Sequence, residues 1–97
     1  MKFIIENPKA SVANYFRRAG YVFQKQSGDE MAFVRKLTEQ PFPRFHLFVR
    51  IVDYRFQVSF HIDHKAASYD GSNMHSGEYE DSELLNGEVQ RLMALAG

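Results

Sequence analysis

The segment RFHLFVRIVDYRFQVSFHID, residues 44–63, alternates apolar and polar side chains on both sides of a central Asp53-Tyr54 pair. Phe45, Leu47, Val49 and Ile51 fall on odd positions, while Phe56, Val58, Phe60 and Ile62 fall on even ones. Successive side chains of a strand point to opposite faces, so each run presents one apolar face. A turn centred on Asp53-Tyr54 places Val52 opposite Arg55. It then sets Ile51 against Phe56, Val49 against Val58, Leu47 against Phe60 and Phe45 against Ile62. A one-residue slip would turn a whole apolar row to water, so this register is strongly specified. On the other face the same register sets His46 opposite His61, Arg50 opposite Gln57 and Arg44 opposite Asp63.

An apolar sheet face needs a cover, and two stretches have helical periodicity. In NPKASVANYFRRAG, Val12, Phe16 and Ala19 form a stripe with Tyr15 beside it. Asn7 suits its cap, Pro8 its first position and Gly20 its close. In SELLNGEVQRLMALAG, with a start at Asp81 or Ser82, Leu85, Val89, Leu92 and Ala96 line one side, broadened by Leu84 and Met93. Gly87 weakens that helix by about 1 kcal/mol relative to Ala. KFII is a short candidate strand, and YVFQKQSGDEMAFVRKL reads as a hairpin turning near SGDE. The expected architecture is one α+β domain over residues 1–97. A single antiparallel sheet of four to five strands carries two helices packed on its apolar face.

Twelve basic residues balance twelve acidic ones, so no net field steers the chain toward nucleic acid or acidic lipid. The absence of Cys removes thiolate catalysis and Cys-ligated zinc. MKFIIENPKA lacks the apolar stretch of a signal peptide, no run reaches membrane-spanning length, and a soluble cytoplasmic protein is expected. No Ser or Thr has an identifiable base beside it and no phosphate loop is present, which leaves the chain's status as an enzyme open.

Three of the four histidines lie in FHIDHKAASYDGSNMHSGEYED. Opposed Cβ atoms in a hairpin are about 5 Å apart, so His46 and His61 can contact one ion. Asp63 emerges from the same face as His61, and His75 is placed to fold back from the following loop. Two or three imidazoles with a carboxylate suit a divalent metal such as zinc or manganese. The polar loop adds Asp70, Glu78 and Tyr79 as further ligand candidates, since long loops in small domains are often functional. The plainer reading is a polar sheet face whose histidines are surface groups, with Arg44 and Asp63 as an ordinary ion pair.

Two other classes are open. Arg17, Arg35 and Arg50, with Phe48 as a stacking ring, would suit an RNA-binding surface if they gathered on one side. An exposed sheet edge would suit a homodimer or another protein partner, in a module with neither metal nor catalysis.

The segment YFRRAGYVFQKQSGDEMAFVRKL resembles the start of HicA-type toxins, where a helix ends in a glycine-aromatic step and a Gly-Ser-His motif follows. Gly20-Tyr21 matches the step. Ser27-Gly28-Asp29 stands where the motif would fall, without its histidine, so no catalytic residue carries over. That resemblance implies a double-stranded-RNA-binding-like α-β-β-β-α layout and a role in cleaving mRNA. The stretches PRFHLFVR, FHIDHK and HSGEYED resemble small bacterial and candidate-phylum proteins with no established activity. This second resemblance points to His46, His61, Asp63, His75, Glu78 and Tyr79 as the region of interest.

Overall fold

The computed structural model describes residues 1–64 and 78–96, the side chains of 78–81 excepted. Five strands form one antiparallel sheet: β1 (Lys2–Ile5), β2 (Val22–Ser27), β3 (Glu30–Lys36), β4 (Arg44–Val52) and β5 (Arg55–Asp63), in the order β1-β5-β4-β3-β2. Helices α1 (Val12–Arg18) and α2 (Glu78–Ala94) cover one face. Because β1 and β2 occupy opposite edges, the chain between them crosses the sheet, and α1 is laid over the apolar rows on the way. No helix among the described residues is long and apolar enough to cross a membrane.

The β4–β5 hairpin has the register expected from its alternation, from Val52 opposite Arg55 to Arg44 opposite Asp63. Its two turn residues are both left-handed, Asp53 at φ 52° and Tyr54 at φ 63°, the combination of a type I′ turn. In the β2–β3 hairpin, Ser27 faces Glu30 across Gly28-Asp29. Gly28 takes φ 62°, a conformation that costs glycine little.

The inward rows of β4 and β5 meet the helices in a largely aromatic core. Phe16, Leu47 and Leu92 are completely buried, with Phe33 and Phe60 beside them. Full burial of a side chain like Phe16 contributes roughly 2–3 kcal/mol. Tyr15 meets Phe56 edge-on at a centroid distance of 5.5 Å, and Phe16 meets Tyr21 likewise at 6.0 Å.

Both helices start elsewhere than their sequences suggest. Asn7 is left-handed at φ 49° and lies at a bend ahead of the helix, while Ser11 caps α1 by accepting the Asn14 amide at 3.2 Å. Asparagine tolerates that conformation and serine is as good a cap, so the later start keeps both favourable. Helix α2 begins at Glu78, ahead of Asp81 and Ser82. The chain there, EYED, is acidic, as the positive end of the helix dipole favours. Leu84 and Met93 remain exposed, so the buried stripe is narrower than expected.

Candidate metal centre

On the face turned away from the helices, β4 presents Arg44, His46, Phe48 and Arg50, and β5 presents Asp63, His61, Ser59 and Gln57 in the opposing positions. The strong apolar pairing on the buried face therefore holds His46 and His61 together, with ring centroids 5.3 Å apart. Asp63 joins them from one pleat further along β5. One carboxylate oxygen lies 2.7 Å from His61 Nε2 and the other 3.0 Å from His46 Nδ1. Arg44 Nε stands 3.5 Å from the oxygen shared with His46.

His46, His61 and Asp63 form a cluster that can chelate a divalent metal ion, with one ligating atom from each within 4.8 Å of the others. Around a metal with bonds of about 2.0–2.1 Å, tetrahedral ligand atoms are separated by about 3.3 Å. The present 2.7 and 3.0 Å contacts are hydrogen-bond distances, so binding an ion requires opening by a few tenths of an ångström.

The three groups differ in exposure. The side chains of His46 and Asp63 are 14% and 24% exposed, whereas His61 is 51% exposed. The inner pair is thus held by packing while His61 opens to solvent. Phe48 packs against the His46 ring at 4.5 Å and the His61 ring at 6.0 Å.

Burial pushes the His46 pKa below its ordinary value, and His61 and Arg44 push the same way, while Asp63 opposes them. The imidazole is therefore held neutral, the form a metal ligand needs. With Nδ1–H donating to Asp63, the lone pair lies on Nε2. That atom is buried and has no hydrogen-bond partner among the described residues. A buried acceptor left unpaired is costly, so the cluster is not a fully satisfied polar surface.

Asp70 and His75 lie outside the described residues, and Glu78 and Tyr79 enter only as backbone of α2. The four residues of the RNA reading occupy both sides of the molecule. Arg17 is exposed on α1 and donates to Asn14 at 2.8 Å. Arg35 lies on the helix side of β3, beside Glu88 at 3.7 Å and over the Phe45 ring at 6.0 Å. Arg50 and Phe48 are on the histidine side.

A second polar cluster, which the apolar pattern does not announce, lies between α2 and the end of α1. Glu88 is only 5% exposed, inside the apolar stripe of α2. It accepts from the Tyr21 hydroxyl at 2.5 Å and from Arg91 at 2.8 and 2.9 Å. Arg91 also donates to the Ala19 carbonyl at 2.7 Å, closing the end of α1. The signal was Glu88 itself, three residues after Leu85 and four before Leu92, a position that faces the core.

The chain matches no protein-family model, no curated protein and no solved structure.

Proposed function

We propose that this domain binds a divalent transition metal, of the zinc or manganese kind, through His46, His61 and Asp63, and uses it on a small ligand. The supporting observation is the convergence of two imidazoles and a carboxylate within 4.8 Å, on a rigid hairpin. Three protein ligands with one half-exposed member leave room for a further group, as in catalytic rather than structural sites. Such an ion supplies a Lewis acid. The protein's own part is to hold His46 neutral, to set the two imidazoles opposite each other through the β4–β5 register, and to wall the site with Phe48. The split of Arg17 and Arg35 from Arg50 and Phe48 across the sheet favours this reading over an RNA surface.

Elemental analysis of purified, untagged protein, beside a His46→Ala/His61→Ala double variant, tests it. The expected result is close to one equivalent of metal in the natural sequence and none in the variant. Equal metal in both proteins, or only traces in the natural one, would overturn it.

A further inference from the structure

The histidine cluster does not stand alone on its face. The register continues the same rows into a groove of about 740 Å³. Phe48 and Ser59 come directly after His46 and His61, with Lys2 beside Ser59, and then Arg50 and Gln57 with Ile4 beside Gln57. Phe48 is therefore a wall common to cluster and groove.

We infer that this groove binds a small organic anion, a carboxylate or phosphate carried on an apolar body about one ring in size. Its volume falls within the range of small-molecule sites, about 300–1,000 Å³. Lys2 and Arg50 enter its lining from different strands, on opposite sides of the Ser59 and Gln57 row. Glu30 is the acidic residue that lines it, so the lining charge is positive. Arg50 Nε is 3.5 Å from Asp29 and 3.6 Å from Glu30, with its side chain half exposed. A guanidinium has five N–H donors, more than those two contacts use. Ile4 and Phe48 supply apolar surface for the body of the ligand, and Ser59 and Gln57 supply neutral hydrogen-bonding groups.

Residues two apart on a strand are separated by about 6.7 Å, so Arg50 lies about 13 Å along β4 from His46. Lys2 stands beside Ser59, one such step from His61, so an anion held there lies, along the strands, between Arg50 and the cluster. Binding in the groove stands on the groove's own residues; the ligand's role as substrate of the cluster rests on the metal reading above.

The test is an amide NMR titration of the metal-free full chain with benzoate, with phenyl phosphate, and with benzyl alcohol as the neutral control. At least one anion is expected to give saturable shifts at Phe48, Gln57 and Ser59, and the stronger of the two identifies the charged group. Loss of two charge-assisted contacts in Lys2→Ala/Arg50→Ala is expected to weaken that binding about 10-fold or more, with Arg17→Ala, exposed on α1 across the sheet, unchanged within about 2-fold. No saturable shift with either anion, equal binding of benzyl alcohol, or full affinity in the double variant overturns the inference. Zinc binding without anion binding leaves the metal site standing and removes the groove. Anion binding without zinc binding keeps the groove and removes its connection to metal chemistry.

Discussion

Tyr21, the residue after the glycine that closes α1, donates its hydroxyl at 2.5 Å to Glu88, a carboxylate in the buried stripe of α2. The two residues are 67 apart in the chain, and this contact ties the segment between α1 and β2 to α2. Burial pushes the Tyr21 hydroxyl pKa up, and the carboxylate beside it pushes the same way, so Tyr21 remains a donor. Burial alone would raise the Glu88 pKa, but hydrogen bonds from Arg91 and Tyr21, with both guanidinium charges, hold it below the ordinary value.

Truncating Glu88 therefore leaves a buried hydroxyl and a half-buried guanidinium without their acceptor. Glu88→Ala is expected to cost roughly 3 kcal/mol, and Tyr21→Phe about 1.5–3 kcal/mol. The sign with pH follows from linkage. Because the folded Glu88 value is depressed, its contribution is present above the unfolded value of about 4.3 and is lost as pH falls through the folded one. Urea denaturation at neutral pH and again in acid checks both statements. A Glu88→Ala loss below about 0.5 kcal/mol, or one that grows on acidification, contradicts them.

The β4–β5 turn holds Tyr54 at φ 63° with 92% of its surface exposed. A left-handed conformation costs a residue other than glycine roughly 1–2 kcal/mol, and here no packing offsets it. Tyr54→Gly removes that strain but adds glycine's entropy cost of about 0.5–1 kcal/mol. The net expectation is a gain of about 0.5–1 kcal/mol, a few degrees in melting temperature for a domain of this size. A lower melting point would show that Tyr54 makes a stabilising contribution its exposure does not reveal.

Legibility followed the range of the interactions. The register of β4 and β5, and with it the facing of His46 and His61, was readable because two apolar rows and a two-residue turn demand one alignment. Asp63 came with it, two residues beyond His61. The pairing of β1 with β5 was not readable, since four residues carry no mark of a partner more than fifty positions away. The start of α1 is ambiguous in the sequence because Asn7 and Ser11 are equally good caps by type. The burial of Glu88 is only weakly marked in the sequence, because an acidic residue in a helix is ordinarily solvated and its partners Tyr21 and Arg35 arrive only through tertiary packing.

His46 should titrate below ordinary histidine, because burial outweighs the attraction of Asp63. Asp63 favours the charged imidazole, so Asp63→Asn is expected to push the His46 value further down, not up. Stability linked to His46 is present above the unfolded value of about 6.5 and declines as pH falls through the depressed folded value. Imidazole NMR across this range reads both the midpoint and the ring nitrogen that carries the proton. A midpoint at or above the ordinary value, or an upward move in Asp63→Asn, would count against the described geometry.

Metal binding makes a final demand on the same three residues. An ion that binds the folded chain and not the unfolded one stabilises it by about 2.7 kcal/mol at a hundredfold excess over its Kd. Zinc or manganese should therefore raise the melting temperature of the natural sequence by about 10 °C or more, and a chelator should reverse the shift. Protons compete with the ion for the imidazole lone pairs and the carboxylate, so the shift should shrink as pH falls. His61→Ala, at an exposed position, removes a ligand with little loss of packing, and is expected to abolish the shift while the metal-free melting point changes little. Thermal scans with and without metal separate the cases. An equal metal-induced shift in His61→Ala would place the bound ion elsewhere in the chain.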